Sequence, residues 1–483
     1  IKLGQWASTR PDVLPEDLCR CLAQLQAGAP QHGMAWNRRV IRDSFGVDLG
    51  EVFAEFSDKP IGSGTIAQVH RARLRSTGEA VAVKICHPHI GASIERDLAL
   101  LSGVARVFDW MVPGMRWLSL PGEVATFSRM MREQVDLRLE AQTLHRFSRN
   151  FAATARSWGL TQRALFPEPK YPLVARNCLV EDLICHAVPM AQFIEETRGG
   201  GGAPGRAREE LAVLGFESFL QMLLWDNFVH ADLHPGNILV AFAPVEGGSG
   251  AGGAARRIWG SLVGRVGNLA RSAGRFITWR LLNAGPLPAQ PTPVQGLSAR
   301  QPGESVAQYL ARHLGQPGRT VPVLVFLDTG LVAELSRQDF RNFADLFLAL
   351  VVKRDGGLAG RLMVERAPQW AQGLVQDAEG FYRGMGRVVE PVLGPARAPA
   401  GHASTLVRLL PTSLKSVSIA PVLQEVFVLV RRHHVRMDPA FTNLVMSMLC
   451  VEGLGRQLAP ELDLRPLLLQ AALQYLLVHR GFM

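Results

Sequence analysis

Cysteine is scarce and poorly spaced for chemistry. The 483 residues hold six: Cys19, Cys21, Cys86, Cys178, Cys185 and Cys450. Cys19-x-Cys21 is too close for a zinc knuckle, and the others stand apart. A disulfide framework and a structural zinc are therefore not expected, and the thiols read as free, in a reducing compartment. Long apolar runs are missing too: no uncharged apolar stretch of 18 residues occurs, so no segment is expected to span a bilayer. Lysine is absent between Phe242 and Thr320, where nine arginines face two glutamates (Glu246, Glu304) and carry seven of the chain's ten surplus positive charges. A nucleic-acid-binding fold would show its basic residues on the folded body with aromatics between them. Here they sit in a Gly/Pro-rich insert, so nucleic acid is not an expected partner. The first residue is Ile1, inside a motif, and the chain reads as part of a longer protein, so the lack of a leader says nothing.

What is present is enough apolar material, 47% of the residues, for a substantial core. The length exceeds what one compact domain usually holds, so two lobes are expected. The most informative stretch is Val229 to Val240, Val-His-Ala-Asp-Leu-His-Pro-Gly-Asn-Ile-Leu-Val. His230 precedes Asp232 by two residues, and Asn237 follows by five. His-x-Asp-x-x-x-x-Asn before an apolar strand is the spacing of a phosphotransfer loop. The carboxylate orients the attacking hydroxyl, and the amide reaches a magnesium ion on the nucleotide phosphates. Pro235 and Gly236 supply the bend. Alone, the phosphotransfer reading outweighs that of a polar turn before a buried strand, and the context decides.

Upstream, Ile61-Gly62-Ser63-Gly64-Thr65 leads through an alternating stretch that includes Val69, then a turn at Ser76-Thr77-Gly78, to Ala80-Val-Ala82-Val-Lys84. The glycines allow close approach of backbone amides to a phosphate. Lys84, two strands later, is placed to reach the same phosphates. His87-Pro88-His89 reads as a turn rather than a metal pair. Gly122 to Asn150 reads as one long helix on which Asp136 and Glu140 share a face, so either carboxylate could hold Lys84; Arg132, Arg138 and Arg146 offer the bland alternative of surface pairing. Downstream, Val321 to Leu331 is an apolar strand ending in Asp328-Thr-Gly330, the way a kinase fold presents a second magnesium ligand.

Further elements are expected as follows. Leu14, Leu18, Leu22 and Leu25 recur at helical spacing, and Asn37 to Phe56 reads as a helix pair. Ser93 to Phe108 reads as a helix. Phe166 to Leu183 is a loop and then a strand, leading to a crossing near Asp182 to Cys185 where adenine would meet backbone groups. Gly199 to Gly205 is a loop and Arg208 to Phe228 an apolar helix. Within the insert, Ile258 to Leu282 interleaves aromatics and arginines as a membrane-surface helix would. From Ser336 onward helices are expected at Phe340–Val352, Gly357–Arg366, Pro421–Arg432, Phe441–Leu454 and Leu464–Val478, with Pro391 to His402 a linker.

The order of glycine loop, strand lysine, acidic helix, His-x-Asp loop and Asp-x-Gly resembles the UbiB or AarF-domain atypical kinases. Lys2-Leu-Gly-Gln5 is similar to that family's N-terminal signature, His230 to Asn237 to its catalytic loop, and Asp328-Thr-Gly to its metal motif. The Gly-Ser-Gly loop makes it most similar to an animal mitochondrial paralogue. The resemblance implies an α+β, bilobal protein-kinase-like fold with a helical N-terminal extension and a mostly helical C-lobe. The extension would be 1–56, the N-lobe 57–182 and the C-lobe 183–483, with 242–320 a largely disordered insert. It implies ATP with Mg2+ as cofactors, bound by Ile61, Gly62, Ser63, Gly64, Thr65, Val69, Ala82 and Lys84. Lys84 and Asp232 would be catalytic, Asn237 and Asp328 metal ligands, and Glu140, Asp136, Lys2 and Gln5 supporting. Lys2 and Gln5 would lie where a protein substrate docks, which favours ATPase or small-molecule kinase activity.

It also implies a mitochondrial, membrane-associated protein in coenzyme Q and lipid metabolism, with membrane lipids or quinone-biosynthesis proteins as partners. The alternative is a catalytically weak nucleotide-binding scaffold of a membrane-associated complex. An aminoglycoside- or choline-kinase type is disfavoured by Lys2 to Gln5. Two departures stand out. Gly62-Ser63-Gly64-Thr65 replaces the family's alanine-rich loop, and Gln134-Val-Asp136 replaces its Glu-x-Asp.

Overall fold

The computed structural model describes residues 31–111, 120–158, 163–185, 187–198, 203–244, 297–301, 303–315, 320–367, 373, 375–393, 419–435, 439–464, 467, 468, 471, 472 and 475. Lys2, Gln5, the leucine-spaced N-terminal helix and the Ile258 to Leu282 stretch lie outside these, as do Cys19, Cys21 and most of Leu464 to Val478.

One six-stranded antiparallel sheet runs in the order β1 (Phe53–Phe56), β3 (Ala67–Leu74), β4 (Ala80–Cys86), β7 (Cys178–Asp182), β6 (Pro169–Ala175), with β2 (Gly62–Ser63) also on β3. Strand alternation gives it two different faces. Val81, Val83, Ile85 and Val180 point to the outer face, where α1 (Met34–Phe45) lays Val40 and Ile41 over them; all are almost fully buried. Full burial of each such side chain is worth roughly 1.5–3 kcal/mol. The opposite face carries what remains of the alternation. Lys84 pairs across the sheet with Val69 and with Leu179, and Ala82 pairs with Arg71 and with Glu181. Lys84, Val69 and Ala82 therefore share one face.

Behind that face two helices run in succession, α4 (Leu120–Gln134) and α5 (Leu137–Trp158). The single helix expected from Gly122 to Asn150 is broken. The Asp136 carboxylate accepts from the backbone N–H of Arg138 (3.1 Å) and so starts a second helix. Before them, α3 (Ile90–Met111) packs on α4 through Leu98, Phe127 and Met131. Two more expectations fail nearby. After the short α2 (Leu49–Val52), Phe53–Phe56 is not helical; it pairs with β3 as an edge strand, with Phe53 buried and Glu55 outward. The prolines of Pro169–Ala175 hid a strand, which an edge position tolerates because it can spare backbone donors.

The second lobe is built on β5 (Ala164–Leu165), β8 (Val188–Pro189), β10 (Ile238–Pro244) and β11 (Thr320–Phe326). β10 and β11 pair over their full length, so the strand runs into the region expected to be disordered. At its other end, α8 (Val306–Leu314) is capped by a Ser305–Gln308 capping box; His313 stacks on Phe242 and Tyr309 meets the same ring edge-on. Those contacts order both margins of the 242–320 insert. A short pair, β9 (Val229–His230) with β12 (Val332–Ala333), lies beside the main strands. Helices α6 (Met190–Glu196), α7 (Ala203–Leu220), α9 (Arg337–Leu348), α10 (Gly356–Glu365), α11 (Ala378–Leu393), α12 (Ile419–Arg432) and α13 (Pro439–Leu458) complete the lobe. α11 was not expected, and it takes in Pro391, where a linker was expected to begin. No helix among the described residues is long and apolar enough to cross a membrane.

Candidate active site

Lys84 is the centre of the cluster between the lobes. Its Nζ donates to both oxygens of Glu140, at 2.7 and 2.9 Å, and to Oδ1 of Asp328 at 2.9 Å. Glu140 is one turn inside α5 and almost fully buried. The Asp328 side chain is 52% exposed. Burial works against the ammonium, but Asp328 and Glu140 together hold its pKa above the ordinary lysine value. Burial pushes the Glu140 carboxyl up, while Lys84 pulls it back and Asp328 adds to the push. Of the two helix carboxylates considered, only Glu140 reaches the lysine. Asp136 sits at the helix break with Arg138 at 2.6 Å, and the Arg138 bond lowers its pKa. Arg132 and Arg146 are occupied elsewhere, with Glu95 and Glu334.

A backbone frame fixes Asp328 relative to the His-x-Asp loop. Leu327 N–H donates to the Asn237 carbonyl (2.8 Å) and Ala231 N–H to the Leu331 carbonyl (3.0 Å). His230 joins the two loops through both ring nitrogens. Nε2–H donates to the Leu327 carbonyl (3.0 Å), and Nδ1 accepts from the Asp232 N–H (3.1 Å). Those partners require a neutral ring, and burial does hold its pKa below the ordinary value. Asp328 has a left-handed backbone, with φ of 50°. The Thr143 hydroxyl of α5 donates to the Thr329 carbonyl (2.9 Å), tying the same turn to the helix that carries Glu140.

Asp232 is partly exposed, and Asn237 is buried beside it. The Asn237 amide nitrogen donates to the Asp232 carbonyl (3.1 Å). That leaves the amide oxygen as the atom with which Asn237 could hold a cation. In the turn between them, the His234 ring accepts from Gly236 N–H (3.0 Å). A Cβ at position 236 would lie 2.8 Å from that ring, so a larger residue would push the ring aside.

The glycine loop stands over the same face. Ile61 N–H bonds the Val69 carbonyl and Gly64 N–H the Ala67 carbonyl, at 2.8 and 2.9 Å, which folds Gly62, Ser63, Gly64 and Thr65 into a hairpin turn. The Ser63 hydroxyl is buried without a hydrogen-bond partner. A buried hydroxyl left unpaired is costly and fits a ligand oxygen that would satisfy it.

Sequence reading missed Glu181, on the cleft face two residues from Leu179. Burial, then the nearby Glu140, push its pKa up to about 8. The period-two pattern of β7 was the available signal. It missed Thr143 as well, for which the sequence held none. His87 and His89 form a turn as expected, and among the described residues no group of three His, Cys, Asp or Glu side chains could hold a metal.

Residues 24–245 match the model of the ABC1 atypical kinase-like domain, and residues 404–463 that of the UbiB helical domain. A mitochondrial ABC1 family protein of Schizosaccharomyces pombe is 33% identical over 96% of this chain and 61% of its own length. A Dictyostelium discoideum protein named "Probable serine/threonine-protein kinase abkC" is 30% identical over 100% of this chain and 63% of its own. A mitochondrial ABC1 family protein of Saccharomyces cerevisiae is 30% identical over 96% and 64%. The chain thus spans less than two thirds of the length of these relatives.

Proposed function

This chain belongs to the ABC1/UbiB family of atypical kinases, and from that premise we propose that it binds ATP with Mg2+ and acts as a phosphotransferase or ATPase. The observation that carries the reading is the Lys84–Glu140–Asp328 cluster, with Lys84 Nζ 2.7 Å from Glu140 and 2.9 Å from Asp328. It is the lysine clamp that phosphoryl transfer needs, held on the loop that also frames Asp232 and Asn237.

In this reading Lys84 holds the α and β phosphates, and Glu140 keeps its ammonium charged and aimed. Gly62 to Thr65 cover the phosphates, the Ser63 hydroxyl gains a partner, and Ile61, Val69 and Ala82 line the base. Asp232 orients the attacking hydroxyl and accepts its proton. The Asn237 amide oxygen and the Asp328 carboxylate are hard oxygen donors that would hold magnesium. Magnesium bound there would neutralise charge on the transferring phosphoryl group. Asp136, bonded to Arg138, supports only the start of the Glu140 helix. Lys2 and Gln5 keep the role the family implies, near the acceptor. Mitochondrial location follows the names of two relatives. Service to coenzyme Q and lipid metabolism, at a membrane surface, follows the family.

The test is Mg-ATP turnover by the purified chain, with and without anionic liposomes, beside Lys84→Ala and Asp232→Asn. Turnover lost in both variants supports the enzyme. Turnover that survives Asp232→Asn refutes the assigned chemistry. Tight ATP binding with no turnover in any condition makes the protein a nucleotide-gated scaffold instead.

A further inference from the structure

A chain of side chains on the outer face of the sheet ends on the glycine loop. His87, just past β4, has Nε2 at 2.8 Å from the Gly64 carbonyl. Its Nδ1 lies 2.8 Å from Nδ1 of His32. Nε2 of His32 lies 2.8 Å from Oδ1 of Asn37. Asn37 Nδ2 then reaches Nε2 of His70 (3.1 Å), and His70 Nδ1 reaches the Ser57 carbonyl (2.8 Å). Gln68 spans the middle: its Oε1 accepts from His32 N–H, and its Nε2 donates to the His32 carbonyl and to His70 Nε2.

Donor and acceptor counting fixes every proton in this chain. The Ser57 carbonyl only accepts, so His70 carries its proton on Nδ1. The backbone of His32 fixes the Gln68 amide from both sides, so Gln68 Nε2 donates and His70 Nε2 is a bare acceptor. Asn37 must therefore point its NH2 at His70 and its oxygen at His32. That oxygen accepts, so His32 Nε2 bears a hydrogen. The Gly64 carbonyl accepts, so His87 Nε2 bears one. The Nδ1–Nδ1 contact needs a third. Two neutral imidazoles carry only two. The geometry is satisfied only when the His32–His87 pair holds one extra proton.

We propose that His32 and His87 are positioning residues for the glycine loop, sharing a single proton that completes the chain of bonds pinning the Gly64 carbonyl. Without that proton two acceptors face each other somewhere along the chain, and the pin on Gly64 loosens. The groups facing the pair are His70 on β3, with Asp58 near it, and His89, which lies against Trp36 with Arg39 over the indole. No carboxylate is hydrogen-bonded to either ring among the described residues. Burial lowers the His32 pKa, the Asn37 bond opposes this, and His87 and His70 lower it further. The shared proton is accordingly held at low pH and lost as pH rises. The effect on a ligand rests on the reading of the cleft as a nucleotide site; the shared proton does not.

The experiment uses 15N-histidine-labelled full chain, followed by ring 15N shifts between pH 5 and 8, with Gly64 amide exchange measured alongside. The expected result is one joint transition, with both rings moving together for one proton and Gly64 protection, relative to the intrinsic base-catalysed rate, falling at the same midpoint. In His32→Phe and in His87→Gln the joint transition vanishes, whereas His89→Gln leaves it intact. ATP affinity is then compared between wild type and each of the two variants at every pH, so that titration of ATP itself cancels. Each variant should bind about five-fold more weakly below the midpoint, the worth of one hydrogen bond, and equally above it. Two independent ring titrations, or Gly64 protection unchanged across the transition, would overturn the proposal. A joint transition with no ATP binding at any pH would leave the shared proton standing and refute the nucleotide reading.

Discussion

Lys84 has two carboxylate partners at nearly equal distance, and burial predicts that they are unequal in energy. Glu140 is 5% exposed and Lys84 13%, whereas the Asp328 side chain is 52% exposed. Removing one partner of a buried pair costs about 3–5 kcal/mol, because the other charge is left in a poor solvent. An exposed pair is typically worth about 0–1 kcal/mol. Double-mutant cycles separate the two. With Lys84→Met, Glu140→Gln and Asp328→Asn, the Lys84–Glu140 coupling should be about 2–3 kcal/mol and the Lys84–Asp328 coupling below about 1 kcal/mol. The assay is urea unfolding at pH 7 without added nucleotide or metal, comparing midpoints only where the slopes agree. An Asp328 coupling as large as that of Glu140 would refute the reasoning. It would mean that proximity, not desolvation, sets the strength of the clamp.

Glu181 gives a pH prediction. Its folded pKa of about 8 lies above the ordinary 4.5, so its contribution to stability is full below the unfolded value and is lost as pH rises toward 8. Glu181→Gln should remove that loss, gaining on wild type between pH 5 and pH 8 in metal-free urea titrations; parallel profiles would contradict it. Phe147 is fully buried, stacked on Phe166 at 4.9 Å and against Phe228 at 4.7 Å. Phe147→Ala should cost about 3–5 kcal/mol, read from the urea midpoint, and a loss below about 1 kcal/mol would show that this core can collapse around the gap.

Lys84, Asp232, Asn237 and Asp328 could be singled out from the sequence because each sits in a short motif whose chemistry fixes its neighbours. Such spacing survives any arrangement of the rest. Glu140 and Asp136 could not be told apart in the same way. Both are acids four residues apart, and a continuous helix would put them on one face. The break at Asp136 decides between them, and it depends on a capping bond that competes with helix continuation. The strand at Pro169–Ala175 was hidden because proline counts against a strand unless the strand is known to be an edge. The order of β10 and α8 at the margins of the insert rests on contacts between residues about 70 positions apart, Phe242 with Tyr309 and His313. Local composition does not carry that information. The histidine chain was equally invisible, since its members come from four separate segments.

The charge balance around Lys84 leads to a last prediction about the proposed ligand. One ammonium faces Glu140 and Asp328, with Glu181 behind them. Even with Glu181 protonated, the cluster is already neutralised or negative before any nucleotide arrives. A bare triphosphate would have to take Lys84 from Asp328 and then lie beside the released carboxylate. At an effective dielectric of about 20, each like-charge pair about 5 Å apart costs roughly 3 kcal/mol. A divalent cation shared by Asp328, Asn237 and the phosphates reverses that sign. ATP should therefore bind at least about ten-fold more tightly with Mg2+ than in EDTA. Asp328→Asn should shrink the difference mainly by improving metal-free binding. Calorimetric titration in the two buffers reads both effects. Equal affinity with and without Mg2+ in the wild-type chain would show that the phosphates do not approach Asp328, and the assignment of Asp328 as a metal ligand would fall with it.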